Sequence, residues 1–94
     1  MSIGALILIL RIPGCGSLKE KRGRLKPLLT QLHKKYNLSV AEVDDLDIWG
    51  RAVIGCTLVS NDPNRTRSVL QKAANWVENE WRDLEVEDAQ IELI

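Results

Sequence analysis

The feature that most constrains the fold is an apolar segment near the start of the chain, residues 3–12, Ile-Gly-Ala-Leu-Ile-Leu-Ile-Leu-Arg-Ile. Its apolar residues fall at both odd and even positions, whereas a strand with one solvated face alternates apolar and polar residues. Such a run is typical of a central strand that is covered on both sides. Pro13 and the glycines after it predict that the strand ends in a tight turn, because proline lacks an amide donor.

A long helix is predicted from Ser17 to Tyr36. Ser17 and Glu20 have the spacing of a capping box, in which each side chain accepts a hydrogen bond from a backbone N–H of the first turn. Apolar residues recur at helical spacing and indicate one buried stripe. The stripe consists of Leu18, Leu25, Leu28, Leu29, Leu32 and Tyr36. Pro27 lies away from it and removes one backbone hydrogen bond, so we expect a kinked helix rather than two helices.

The rest of the chain predicts three more strands and a second helix. Residues 38–44 form a partly polar strand that suits a sheet edge. Residues 49–60 form a strand that is again apolar on both faces. Asp62 and Pro63 mark a helix start, with the acid as cap and proline in the first helical position. Residues 84–94 supply the last strand.

The predicted order β-α-β-β-α-β is that of the ferredoxin-like fold, an α+β fold in which two helices cover one face of a four-stranded antiparallel sheet. The right-handed crossover rule gives the strand order 4-1-3-2. This order places at the centre the two strands that are apolar on both faces. Because 94 residues is the size of one small domain, residues 1–94 are assigned to a single ferredoxin-like domain.

The formal net charge of zero conceals an asymmetry along the chain. Residues 1–37 carry eight basic residues and one acid, while residues 38–94 carry five basic residues and twelve acids. A cluster of five cations occupies the opening turns of the first helix, where the helix dipole disfavours positive charge. These are Lys19, Lys21, Arg22, Arg24 and Lys26. Either this helix faces an anionic partner, or the two halves neutralise each other across the folded surface.

The basic run and the loop before it form a candidate surface for RNA phosphates, to which loop amides add an anion-binding nest. The candidate residues are Gly16, Ser17, Lys19, Lys21, Arg22, Arg24 and Lys26. We expect Lys21 and Arg22 to contribute most, because they lie nearest the glycine loop. Base stacking on the sheet is not expected, since Trp49 is the one aromatic residue of the predicted central strands. A solvated cationic helix face is the competing interpretation.

No catalytic or metal-binding constellation is recognisable. Neither Cys15 nor Cys56 belongs to a C-x-x-C motif, and His33 is the single histidine, so we expect no metal and no cofactor. The strand layout separates the cysteines too widely for a disulfide, which predicts two free thiols. The acid-rich turn at residues 44–47 is interpreted as a solvated turn rather than a cation site. An acylphosphatase-like enzyme shares the fold and length and remains an alternative, although residues 13–17 lack that enzyme's loop signature.

The sheet predicts a partner surface. Both central strands are apolar on both faces, yet two helices can cover one face only. The uncovered face predicts a homodimer or larger homo-oligomer through the sheet face or its edges. A protein-interaction or oligomerisation module without nucleic acid is therefore a second alternative. The longest apolar run is too short to span a bilayer and lacks the features of a signal peptide, so we expect a cytoplasmic protein without membrane contact.

Nearly end to end, the sequence resembles the bacterial YlxP-like family, a domain of unknown function. Four segments carry the resemblance in order: Arg-Ile-Pro-Gly at 11–14, Ser-Leu-Lys-Glu-Lys-Arg at 17–22, Ser-Val-Ala-Glu-Val-Asp at 39–44 and Arg-Ala-Val-Ile-Gly at 51–55. The resemblance implies a ferredoxin-like fold and a gene beside those of translation initiation and ribosome-maturation factors. It implies no catalytic residue. The predicted function is an uncharacterised accessory factor that associates with RNA or the ribosome.

Overall fold

The computed structural model describes every residue from Met1 to Ile94. The chain forms β1 (Ser2–Arg11), α1 (Leu18–Tyr36), β2 (Ser39–Asp44), β3 (Arg51–Ser60), α2 (Pro63–Glu80) and β4 (Glu85–Leu93). The four strands make one antiparallel sheet in the order β2-β3-β1-β4. This is the order 4-1-3-2 counted from the opposite edge, so the predicted ferredoxin-like β-α-β-β-α-β fold is confirmed.

The core lies between the sheet and the helices. Even-numbered residues of β1 face the helices, and Leu6, Leu8 and Leu10 are fully buried there. They belong to one hydrophobic cluster with the leucines of α1 and with Leu70 of α2. Cys56 of β3 lies in the same cluster, and burial raises the pKa of its thiol to about 12. Both cysteines are free, as predicted.

Odd-numbered residues of the central strands lie on the other side of the sheet, which no helix covers. We call this side the open sheet face. It comprises Ile3, Ala5, Ile7 and Ile9 of β1, Val53, Gly55, Thr57 and Val59 of β3, Ala41 and Val43 of β2, and the polar Asp88, Gln90 and Glu92 of β4. Val43 and Val59 remain 54% and 62% exposed. The apolar character of both faces of β1 and β3 thus has two different origins, a core on one side and an uncovered surface on the other.

The helix ends follow the sequence signals with one exception. Ser17 caps α1, and its Oγ accepts a 3.0 Å hydrogen bond from the Glu20 amide. The Glu20 carboxylate does not complete the capping box; it lies 3.4 Å from Arg24 instead. α1 continues through Pro27 as one helix, and neither helix is long and apolar enough to cross a membrane. Asp62 caps α2 by accepting a 2.9 Å hydrogen bond from the Asn64 amide.

The largest boundary difference concerns β3, which begins at Arg51 rather than at residue 49. Trp49 therefore lies in the turn between β2 and β3, where it is 52% exposed. The turn extends past Trp49 because the Asp45 backbone adopts a left-handed conformation, with φ of 56°. The Asp45 carbonyl also accepts a hydrogen bond from the Ile48 amide within the turn. No aromatic residue remains on the open sheet face.

Two glycines test how closely α2 packs on the sheet and how open the outer side of α1 is. A Cβ on Gly4 would lie 2.5 Å from Thr66 Cγ2 and 2.8 Å from Leu70 Cδ1, whereas one on Gly23 would meet nothing within 4 Å. We expect Gly4→Ala to lower the free energy of unfolding by about 1–3 kcal/mol through overpacking. Gly23→Ala should raise it by about 0.5–1 kcal/mol, because glycine is a poor helix former. Urea denaturation measures both; equal shifts would contradict the close approach of α2 to β1.

Candidate nucleic-acid interface

Lys21, one of the two residues expected to dominate an RNA surface, is buried between α1 and β2. Its side chain is 1% exposed, and Nζ lies 2.7 Å from Glu42 Oε2. Nζ also donates a 2.7 Å hydrogen bond to the backbone carbonyl of Asp45. A buried ammonium needs such partners, since removal of an ion from water costs several kcal/mol. The expectation for Lys21 is therefore corrected: its charge serves the fold and is not accessible to RNA.

The partner of Lys21 is partly buried, with its side chain 16% exposed. Glu42 Oε2 is shielded from solvent and has no aligned hydrogen bond, so the short Nζ–Oε2 distance reflects charge attraction rather than hydrogen-bond geometry. Asp45, which follows β2, contributes its carbonyl to Lys21 and its carboxylate to Arg51, with an Nε–Oδ2 distance of 2.9 Å. Through these contacts α1 is joined to the edge strand β2 and to the β2–β3 turn.

The sequence contained a signal for this ion pair that its analysis missed. Lys21 falls within the apolar stripe of α1, three residues after Leu18 and four before Leu25. Glu42 follows Val40 by two residues in β2, and side chains two apart lie on the same face of a strand. A lysine on the buried side of a helix and a glutamate on the inner side of an edge strand each need a partner, and each is the nearest partner for the other.

Arg24 also binds partners within the chain. Its Nε lies 2.9 Å from Asp83 Oδ2, and its Nη2 donates a 2.7 Å hydrogen bond to the Asp83 carbonyl. Nη1 donates a 2.7 Å hydrogen bond to the carbonyl of Pro13. The hydrogen bond with Asp83 raises the pKa of Arg24 above its ordinary value. Arg24 thereby connects the β1–α1 loop, α1 and the α2–β4 turn, and its guanidinium is not free for an acyl phosphate in that loop.

The β1–α1 loop presents unpaired amides. The backbone N–H groups of Gly16 and Ser17 donate no hydrogen bond within the chain. The neighbouring Cys15, which is half-buried, donates from Sγ to the Ser17 carbonyl at 3.4 Å. These amides are unpaired, but Ser17 has an extended backbone and the acidic Glu20 follows within the first helical turn. The loop alone is therefore a weaker anion site than the sequence suggested.

Exposed cations without an acidic partner cover the outer side of both helices. None of them lies within 4 Å of a carboxylate, as the six ion pairs involve other basic residues. We call this set the basic helical surface. It comprises Lys19, Arg22, Lys26, Lys34 and Lys35 of α1 and Arg65, Arg67 and Lys72 of α2. Three of the seven predicted site residues, Lys19, Arg22 and Lys26, thus lie together as exposed cations.

The charge asymmetry of the sequence becomes a separation between two layers. The helices contain only three acids, Glu20, Glu78 and Glu80. The strands contain six acids and two arginines, and four of these acids lie in β4. The interpretation that the two halves neutralise each other is realised in part. Pairs such as Lys21–Glu42 join the two halves of the chain, while the basic helical surface remains uncompensated.

A groove between the two helices adjoins this surface and was not anticipated. Its volume is about 570 Å³, and its walls are Gly23, Lys26, Pro27, Thr30 and Gln31 of α1 with Trp76 of α2 and Trp81. The indole rings of Trp76 and Trp81 are in contact, with centroids 5.7 Å apart. Lys35 Nζ lies 5.8 Å from the Trp76 ring centroid. Stacking aromatics are expected on the strands of this fold, so the sequence did not point to this helical pair.

The ion pair predicts a sharp difference between two adjacent cations. Lys21→Met should lower the free energy of unfolding by about 2–3 kcal/mol, because it leaves the partly buried Glu42 carboxylate and the Asp45 carbonyl without their partner. Arg22→Met, the same substitution at an exposed position, should change it by less than about 0.5 kcal/mol. Urea denaturation measures both values.

A second variant tests whether the unpaired Glu42 charge causes the loss of stability in Lys21→Met. Lys21→Met combined with Glu42→Leu removes both charges, and it should recover most of the lost stability because no ion remains unpaired in the core. Equal stability of the wild type and Lys21→Met would show that the ammonium is not buried against Glu42.

Comparison with known proteins places the sequence in a family. Residues 3–91 match the family described as "Protein of unknown function (DUF503)". The "Uncharacterized protein YlxP" of Bacillus subtilis (strain 168) is 38% identical over 64 residues, which is 68% of this chain and 70% of that protein. A de novo designed protein with ferredoxin fold aligns with a TM-score of 0.51 at 13% identity, over all of this chain and 83% of that one. The Bacillus subtilis acylphosphatase aligns at 20% identity over all of this chain and 86% of that one, with a TM-score of 0.48, too low to carry an argument. The chain belongs to the DUF503 family of proteins of unknown function and is similar to YlxP.

Proposed function

We propose that this protein binds RNA through its phosphates and that the basic helical surface makes the contact. The observation that carries the proposal is the set of eight exposed cations on two adjacent helices without an acidic partner. The cations at the start of α1, Lys19 and Arg22, lie where the helix dipole disfavours positive charge, so they do not stabilise the fold. A polyanion that neutralises them gains free energy by counterion release. The gene neighbourhood implied by the family resemblance agrees with a ribosome-associated RNA.

The contrast between paired and unpaired cations supports the same proposal. Lys21 and Arg24, which stabilise the fold, are withdrawn from the surface by Glu42 and Asp83. The acidic strand β4 lies in the sheet, on the opposite layer from the cations. An RNA would therefore be attracted to the helical side and repelled from the sheet, which fixes the orientation of the protein on it. Contacts of this kind are to phosphates and are largely independent of base sequence.

The proposal predicts different effects for two arginines on opposite layers. Arg22→Gln should weaken RNA binding regardless of sequence and reduce the slope of log K against log [salt] by about 0.7–0.9, the value for one lost phosphate contact. Arg11→Gln makes the same change in net charge on the sheet side, where Arg11 pairs with Glu85 at 2.7 Å, and should leave the slope unchanged. Filter binding at several salt concentrations measures both, and equal effects would point to net charge rather than a defined surface.

The open sheet face favours a second candidate function, self-association. The face is aliphatic on β1, β2 and β3 and polar along its β4 edge, where Asp88, Gln90 and Glu92 lie. Four strands spaced ~4.8 Å apart over six to ten residues give an area on the order of 600 Å². Two copies face to face would bury about 1,200 Å² in total, the lower end of the range for specific interfaces. We therefore propose a homodimer in which the two open sheet faces pack together, an arrangement that leaves the basic helical surface of each copy outward.

A variant on this face tests the dimer. Val59→Lys should shift the protein to a monomer with little loss of stability, because the Val59 side chain is already 62% exposed in the single chain. Leu46→Lys is the matched control, since Leu46 is 58% exposed but lies in the β2–β3 turn outside the face. Light scattering at micromolar concentrations gives the mass, and a monomeric wild type would remove this candidate.

A further inference from the structure

The groove between α1 and α2 has the features of a site for a flat, polar ligand. Its walls combine the contacting indole rings of Trp76 and Trp81 with the polar side chains of Thr30 and Gln31. Its volume of about 570 Å³ lies within the range of pockets that bind small organic groups. Aromatic platforms of this kind bind nucleobases, because every base has a π-face that can stack on an indole.

One polar group of the groove walls lacks its usual partner. Pro27 has no amide N–H, so the carbonyl of Gly23 misses the hydrogen bond that residue 27 would donate in a regular helix. This acceptor beside the indole rings suits a base edge that carries an amino donor, as adenine does. An aliphatic ligand would leave the carbonyl unsatisfied.

The cations beside the groove indicate that the ligand also carries negative charge. Lys26 forms part of the groove wall, and Lys35 lies 5.8 Å from the centre of the Trp76 ring. Neither has a carboxylate within 4 Å. These two cations can therefore contact phosphates on either side of a stacked base. An acidic peptide would satisfy the same charges, whereas a nucleotide combines the flat ring and the flanking anions in one unit.

We infer that the groove between α1 and α2 binds an unpaired base of a single-stranded RNA, while Lys26 and Lys35 contact the flanking phosphates. The planes of Trp76 and Trp81 are tilted by 56°, so the base stacks on one indole ring and meets the other at its edge. The inference rests on the proposed function and extends it from phosphate contact to base contact. It assigns base stacking to the helical layer, whereas proteins of similar topology that read RNA stack bases on the sheet. It also gives Pro27 and Gly23 a role, since a regular helix with a side chain at position 23 would narrow the groove.

An eight-nucleotide oligoadenylate and an abasic oligonucleotide of the same length, with identical phosphates, test the inference. The abasic strand engages the basic helical surface alone, so oligoadenylate should bind about tenfold more tightly by filter binding if one base stacks. Stacking should also quench the tryptophan emission. The variant Trp49→Phe removes the tryptophan outside the groove, and it should retain the quenching in full.

Gly23→Gln is the blocking variant. It fills the groove from a helix position where a Cβ meets nothing within 4 Å, so the fold should be kept. We expect this variant to abolish the quenching and to bind both oligonucleotides with the affinity that the wild type shows for the abasic strand. Equal binding of the two strands by the wild type, without quenching, would overturn the inference that the groove binds a base. It would leave the proposal of phosphate binding by the basic helical surface in place. Failure to bind either strand would overturn both proposals, and quenching by an acidic tyrosine peptide but not by RNA would assign the groove to a protein partner.

Discussion

The contact between the Lys21 ammonium and the Glu42 carboxylate joins the first helix to the edge of the sheet. β2 has six residues and exposes most of them, so apolar burial alone fixes it weakly. Pairing with β3 sets the register of β2, and the ion pair, with the hydrogen bond to the Asp45 carbonyl, joins β2 and the following turn to α1. A buried ion pair contributes less to net stability than its distance suggests, because both ions lose their hydration. It does, however, penalise any arrangement in which one of the two charges is unpaired.

The same constraint sorts the cations of α1 into two groups. Lys21 and Arg24 point to partners supplied by β2 and by the α2–β4 turn, and their charges are neutralised within the chain. Lys19, Arg22 and Lys26 find no such partner, and the helix dipole opposes them. Because the fold gains nothing from these three, a function outside the chain is the economical explanation for their presence. The groove beside Lys26 extends that explanation from charge to shape.

Much of the fold could be predicted because its signals are local. The runs apolar on both faces indicated the central strands, and Ser17, Asp62 and Pro63 marked the helix starts. The β2–β3 turn was placed less well, since its extent depends on the left-handed Asp45 and on tertiary contacts with Lys21 and Arg51. Local sequence does not report such contacts.

The candidate site was predictable in part for the same reason. Counting cations identified the basic helix, but the burial of Lys21 depends on Glu42, 21 positions away in the sequence. The position of Lys21 within the leucine stripe indicated that its side chain is buried, but its charge favoured the interpretation as a surface residue. The groove requires Trp76 and Trp81 to meet Gly23 and Pro27 of another helix, a contact that no spacing within either helix reveals.

The most direct measurement of the central claim is an NMR titration of the ¹⁵N-labelled protein with a single-stranded RNA at low salt. If the helices bind RNA through the free cations, the amide signals of Lys19, Arg22 and Lys26 and the indole signals of Trp76 and Trp81 should shift. Those of the open sheet face should stay in place, and the shifts should reverse as salt is added. Shifts confined to the open sheet face, or no shift on the helices, would contradict the assignment of RNA binding to the basic helical surface.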